Sequence, residues 1–314
     1  MFYSFDLHDF GITIRKIRKK CGLSQFKVKN KTGINEDTLR KLENGLVIPK
    51  YETLEILSSI YKCDLLKELQ SCRTDQHFYK YYIKMDRIIA NSEFSLIGEL
   101  ILEFNETIKS EIPSILINND ELEQFELFLS AIIEYSSKDN YNCTKAEQLL
   151  IDALKLTINE FEISRFSESK YNVFEIRILL LLGLVKEKTG DLLLSTSVFL
   201  FILEYLIDGN DTDCEVQKII LKIYSNISYN YHKADNHILA LKYADKGIEY
   251  AINNSNMCFL YLLYGRKGIA EFLLGSSCYL DSVKKSIHLL EINKQYNLAE
   301  LYKNTYYEKY KIRL

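Results

Sequence analysis

The chain has 314 residues, and the spacing of its chemically able side chains decides what they could do. Seven cysteines (Cys21, Cys63, Cys72, Cys143, Cys214, Cys258 and Cys278) are an odd number and form no C-x-x-C pair. Neither a disulfide framework nor a zinc site has that spacing, so reduced, buried thiols are expected. The five histidines (His8, His77, His232, His237 and His288) show no ligand spacing such as H-E-x-x-H. No glycine-rich phosphate loop, nucleophile elbow or pair of catalytic carboxylates stands out. An enzyme, a metal and a cofactor are therefore not expected. What remains is chemistry for binding. Residues 1–75 carry 14 Lys+Arg against 10 Asp+Glu, whereas the remainder carries 26 against 33. A mildly basic head on an acidic body suits a phosphate-contacting module joined to a body with a different role.

The elements that must position those groups are helices. The chain is 47% hydrophobic and 26% charged, with 12 Gly and only 2 Pro, which leaves room for sizeable cores and for long uninterrupted helices. Met1 to Asp6 has no secretory pattern, and the longest uncharged stretches, Ile178 to Val185 and Leu192 to Leu203, fall short of the ~20 residues of a spanning helix. A soluble cytoplasmic protein with no membrane partner is expected.

In the head, Ile14 and Ile17 lie at helical spacing, with Arg15, Lys16, Arg18, Lys19 and Lys20 on the other positions. Gly22 stops this helix, and Ser24 caps a short second one over Gln25 to Lys31. Thr32-Gly33-Ile34 is a turn, Asn35 caps a third helix running through Glu43, and Leu39 and Leu42 face inward. Asn44-Gly45 ends it and Pro49 fixes the loop that follows. A fourth helix spans about Tyr51 to Tyr61, and Asp64 caps a fifth over Leu65 to Gln70. Five short helices with a glycine turn between the second and third make a helix-turn-helix unit.

The string Ile17-Arg18-x-x-x-Gly22-Leu23-Ser24-Gln25, then Thr32-Gly33-Ile34, then Leu42-Glu43-Asn44-Gly45-x-x-x-Pro49 resembles the phage-repressor (Xre/Cro) class of DNA-binding domain over about 59 residues. The resemblance implies that the third helix enters the major groove while Gln25 meets the backbone. It places Glu36, Asp37 and Lys41 in the base-facing slots, with Asn35 and Thr38 where phosphate or mixed contacts occur. Glu or Asp can accept from cytosine N4, and Lys41 can donate to guanine. Two carboxylates near phosphates are repelled, although acids in a first helical turn favour the helix dipole. Arg15, Lys16, Lys27, Lys29, Arg40 and Lys50 are left as phosphate-contact candidates.

From Asp75 onward the pattern is helix after helix: 75–90, 93–109, 120–136, 144–161, 171–189, 191–207, 214–233, 236–253, 257–274, 279–292 and 295–312. The clearest unit is Asn226-Ile227-Ser228-x-x-Tyr231 followed by Ala240-x-x-x-Ala244-x-x-Gly247, the knob and hole positions of a tetratricopeptide repeat (TPR). The first small residue of the second helix recurs at Ala146, Ser195, Ala240 and Ser282, in steps of 49, 45 and 42 residues. These are lengthened, irregular repeats. The expected fold is all-α: an Xre/Cro-like five-helix head over 1–72, a linker helix over 73–91, and a TPR-like α-solenoid over 92–314 closed by a capping helix from Gln295.

Stacked helix pairs form a concave surface suited to an extended peptide. Head and body together resemble the peptide-pheromone regulators of Gram-positive bacteria, the Rgg/PlcR/NprR/Rap (RRNPP) group. That resemblance implies a regulator in which a short signalling peptide on the inner face shifts a homodimer between DNA-binding states, with quorum sensing as the setting. An Asn side chain can satisfy a peptide unit with one donor and one acceptor, which marks Asn226. Lys222, Tyr229 and Lys233 flank it at helical spacing, and Arg177 and Arg266 on neighbouring inner helices could clamp a carboxylate. A homodimer on a palindromic operator is expected, because one head contacts few base pairs. The alternative is an antiactivator or scaffold that captures a protein on the solenoid and carries a vestigial head.

Overall fold

Helices begin where a short polar side chain can take up a free backbone amide, and among the described residues this chain supplies such caps at nine helix starts. The computed structural model describes residues 6–72, 76–91, 93–111, 119–137, 142–208 and 213–314; Met1 to Phe5 and Asp75 lie outside them. Two compact units, Met1–Asn118 and Asn119–Leu314, divide the chain.

The first unit opens with α1 (Leu7–Lys20), α2 (Gln25–Thr32), α3 (Glu36–Glu43), α4 (Tyr51–Tyr61) and α5 (Leu65–Ser71). Ser24 accepts from the Lys27 amide, Asn35 from Asp37 and Asp64 from Lys67, so the caps expected from sequence are made. Gly22 (φ 66°) and Gly33 (φ 76°) take the left-handed conformation that lets α1 and α2 end sharply. One start differs from expectation: Asp6 caps α1 ahead of Gly11 by accepting from the Asp9 amide at 2.9 Å. Phe10, Ile14, Val28, Leu39 and Leu57 form the middle of the head's core. At Gly11 a Cβ would stand 2.8 Å from the backbone of Glu43, so α1 and α3 touch backbone to backbone. The unit continues with α6 (Gln76–Asn91), a 3₁₀ turn at Phe94–Leu96, and α7 (Ile97–Glu111). Tyr81 joins α6 to α7 through an edge contact with Phe104 at 5.2 Å and a 2.5 Å hydrogen bond to Thr107.

The second unit runs through α8 (Asn119–Ser136), α9 (Cys143–Lys155), α10 (Val173–Lys188), α11 (Leu192–Asp208), α12 (Cys214–Lys233), α13 (His237–Asn253), α14 (Leu260–Leu273), α15 (Tyr279–Ile292) and α16 (Tyr296–Tyr310). Each helix packs on the next, and among the described residues there is no strand. Contacts also join α8 to α10, α10 to α12 and α12 to α14, which puts the first helix of each pair on the shorter, inner side of the stack. The recurring small positions hold the layers together. Ala146, Ser195, Ala240 and Ser282 are buried, and Ser228 donates to the Ala240 carbonyl at 2.7 Å. Large apolar neighbours such as Phe199, Leu182 and Ile227 are fully covered, each worth about 1.5–3 kcal/mol of burial.

Two expected helices are shorter than their patterns. The 144–161 segment ends as α9 at Lys155 and re-forms as a 3₁₀ turn at Ile163–Glu168. The 257–274 segment starts at Leu260, because Phe259 (φ 58°) breaks the helical path. The cysteines are free, yet they are not buried: Cys21, Cys214 and Cys278 are exposed and the other four half-buried. The apolar interior is filled by Leu, Ile and Phe, which leaves the smaller thiols at its margins.

Candidate functional site

The face of α3 away from the core is set by two buried leucines. With Leu39 and Leu42 inward, Asn35, Thr38, Arg40 and Lys41 stand exposed, and Glu36 and Asp37 are half-buried. The charges on this face are paired locally. Asp37 accepts from Arg40 at 2.6 Å and from Lys41 at 2.8 Å, and these cations, Lys41 foremost, hold its carboxyl below the usual range. Glu36 reaches Lys29 on α2 at 3.3 Å. The repulsion expected between these acids and a phosphate backbone is thus compensated on the helix, where two acids stand beside two bases.

Beneath that face lies Glu43, 2% exposed. Its carboxylate accepts from Arg18 at 2.5 and 2.8 Å and from the Gln25 amide at 3.0 Å, while Arg18 also donates to the Leu23 carbonyl. Arg15 approaches from the side at 3.4 Å and donates to Asn44. The hydrogen bonds to Glu43 push the Arg18 pKa up. Glu43 therefore ties α1, the start of α2 and the end of α3 into one body. Gln25 keeps a second amide hydrogen after donating to Glu43.

In the second unit, Lys222, Asn226, Tyr229 and Lys233 form a single stripe on α12 at i, i+4, i+7 and i+11. All four reach the surface, whereas Ile223, Tyr224, Ser225, Ile227, Ser228 and Asn230 between them are buried. The neighbouring inner helices converge on this stripe unequally. Arg177 on α10 is already paired with Glu215 at 3.0 Å, a carboxylate that Lys218 also holds. Lys233 pairs with Glu187 at 2.6 Å, and Lys222 lies 4.8 Å over the Phe259 ring. Arg266 on α14 stacks over the Tyr229 ring at 4.2 Å and has no acidic partner among the described residues. Asn226 likewise has no hydrogen-bond partner there.

The final helix, expected as a capping helix rich in Tyr and Lys, also brings tyrosines against α14. Tyr302, Tyr306 and Tyr310 recur every four residues on α16, a spacing that marks one face. The charge of Arg266 acts on all three and on His232. Burial nonetheless dominates, and it pushes Tyr306 up to about 12. Tyr310 closes the end of the stripe with a 2.9 Å hydrogen bond to His232, whose other ring nitrogen faces His237 at 3.4 Å.

Elsewhere, a cleft of about 590 Å³ between α4 and α5 holds Glu55, Cys63 and Asp64. All three already serve the fold, since Glu55 accepts from Tyr51, Cys63 contacts Glu68, and Asp64 caps α5. Among the described residues no cluster of His, Cys, Asp and Glu could hold a metal ion, and no helix is long and apolar enough to cross a membrane.

Residues 14–67 match the family model described as Helix-turn-helix, which covers the head from α1 into α5. No curated protein sequence matches the chain. Solved structures resemble it over nearly its whole length. Bacillus thuringiensis PlcR in complex with the peptide PapR7 and DNA is 16% identical, with a TM-score of 0.72 over 95% of this chain and 99% of that one. The Streptococcus dysgalactiae SHP pheromone receptor Rgg2 is 11% identical, with a TM-score of 0.60 over 96% of this chain and 99% of that one. ComR from S. thermophilus, in complex with DNA and its signalling peptide ComS, is 13% identical, with a TM-score of 0.55 over 94% and 97%. The chain thus has a helix-turn-helix head and the helical-array fold of these proteins.

Proposed function

We propose that this chain is a transcription regulator of the peptide-responsive RRNPP kind. Its head, residues 1–72, binds double-stranded DNA as part of a homodimer on a palindromic operator. The array within residues 92–314 holds a short signalling peptide, and the linker helix over 73–91 transmits occupancy to the heads. The observation that carries this reading is the α12 stripe. An uncommitted Asn226, an aromatic ring and a stacked arginine face the inner side of a helical array, on a chain that also bears a helix-turn-helix head. PlcR and ComR, which share the fold, were solved with DNA and a peptide, and that supports carrying both partners over.

On the DNA side the roles divide by chemistry. Asn35, Glu36, Asp37, Thr38, Arg40 and Lys41 present donors and acceptors to base edges and flanking phosphates. Gln25, with Lys16, Lys27 and Lys50, supplies backbone contacts. On the peptide side Asn226 pairs one peptide unit of an extended ligand, with Lys222, Tyr229, Lys233, Arg177 and Arg266 around it. A peptide can move the heads only by its differential affinity for the two states.

A second reading has one observation in its favour. The self-cancelling charges of α3 are also what a scaffold with a vestigial head would show, since such a head no longer needs attraction to phosphate. Binding of the full chain to genomic fragments separates the two. The regulator gives salt-sensitive, sequence-selective retention, and the scaffold gives none. Asn226→Ala should leave basal DNA affinity within twofold of the parent and abolish its response to peptide. A response that survives removes Asn226 from the site.

A further inference from the structure

The inner face of the array is not electrically uniform, and at one end an arginine stands without an acid among the described residues. Nearly every cation near the α12 stripe is answered by an acid: Arg177 and Lys218 by Glu215, Lys233 by Glu187, and Lys267 by Asp245. Arg266 has no acid partner among the described residues. Its Nε is buried with no hydrogen-bond acceptor, and its guanidinium face rests on the Tyr229 ring. Stacking satisfies the face of a guanidinium but none of its N–H groups, and an unanswered buried donor carries a desolvation cost. The two terminal nitrogens also lack acceptors among the described residues but are not buried, so they can be reached from outside.

The surroundings repeat the pattern. Tyr229 and Tyr302 have no hydrogen-bond partner among the described residues, and burial raises the Tyr302 pKa. Tyr310 is occupied by His232, which is neutral by preference because burial, His237 and Arg266 all disfavour its charged form. Among the described residues, the only acid acting on that imidazole is Asp235. Gly265 eases the packing of the corner: a Cβ there would stand 2.6 Å from the Tyr306 hydroxyl, so a larger residue would make that side chain shift.

We propose that the α12–α14–α16 corner is a carboxylate site that selects effector peptides by negative charge, with Arg266 as its fork and the Tyr229 and Tyr302 hydroxyls as flanking donors. This deepens the peptide reading and rests on it. A planar carboxylate matches the paired terminal nitrogens of a guanidinium and supplies the acceptors that Arg266 lacks among the described residues. The carboxylate comes from the peptide's C-terminus or from an Asp or Glu side chain, and Asn226, one turn from Tyr229 along the same stripe, meets the adjoining backbone.

Four random heptapeptide pools test it on the immobilised full-length protein: free or amidated at the C-terminus, each with or without Asp and Glu. Retained peptides are counted by mass spectrometry. The amidated, acid-free pool should be retained at least tenfold less than the others, and the better retained of the two singly charged types identifies the source. Arg266→Gln should erase the difference between pools, and Arg266→Lys should restore part of it, since charge returns without the fork. Equal retention of the neutral pool, or a preference that survives in Arg266→Gln, overturns the carboxylate site alone. Retention of no pool overturns the peptide reading and this site with it. The thermal midpoint of each variant, within about 2 °C of the parent, keeps a folding defect from imitating the loss.

Discussion

Two arginines, one in each unit, show how the same side chain is saturated in one place and left open in another. Arg18 in the head is 8% exposed, and Glu43 and the Leu23 carbonyl take up its nitrogens. Arg266 in the array sits on a tyrosine ring, and its N–H groups have no acceptor among the described residues. A saturated arginine has nothing left to offer a ligand and holds three helices in register. An unsaturated one contributes little to the fold and is ready for an external acceptor. The contrast extends to the acids. Glu43 and Asp37 each pair with two cations, so these acids leave the bases beside them answered, while the α14–α16 corner leaves Arg266 without an acid among the described residues.

The largest effect should come from breaking the saturated partner. Glu43→Ala strands Arg18 in the core and should cost about 3–5 kcal/mol, read as a lower urea midpoint for the head's unfolding. A loss below about 1 kcal/mol would mean the two arginines are not different in kind. Next in size is the charge clamp on α3. Asp37→Asn releases Arg40 and Lys41, so nonspecific DNA affinity should rise several-fold. The salt dependence of log K should steepen by up to about 2, one unit for each freed phosphate contact. An unchanged slope would show that Asp37 does not restrain them. The smallest effect is at His232. Burial holds its pKa below the ordinary 6.5, with the charges of His237, Arg266 and Lys309 adding to that and Asp235 opposing. The unfolded chain therefore binds this proton more readily. The stability it contributes is complete above pH 6.5 and is lost as pH falls through the lower folded value. The urea midpoint of the array should drop on acidification, and His232→Gln should flatten that drop. A parent and variant with superimposable pH profiles would remove His232 from the corner's electrostatics.

Much of the head was legible because its signals are local. Ser24, Asn35 and Asp64 cap as their side chains dictate, and Gly22 and Gly33 turn where only a residue without a Cβ turns cheaply. The array's layering was legible for a related reason, since Ala146, Ser195, Ala240 and Ser282 must be small wherever two helices close on each other. Pairing across helices was not. Arg177 and Arg266 look alike in sequence, and only the register of α10 against α12, and of α14 against α16, gives one a carboxylate and leaves the other without. The cysteines misled for the complementary reason: a thiol is compatible with burial but does not demand it.

The central claim is that occupancy of the array's inner face sets the DNA affinity of the head. The direct test is fluorescence anisotropy of the full chain on a selected operator, with and without a saturating heptapeptide recovered from the pools, for the parent and for Arg266→Gln. The account predicts a peptide-dependent change in operator Kd of at least fivefold in the parent and none in the variant, with equal Kd for both proteins when no peptide is present. A parent whose Kd is the same with the peptide bound as without it contradicts the account.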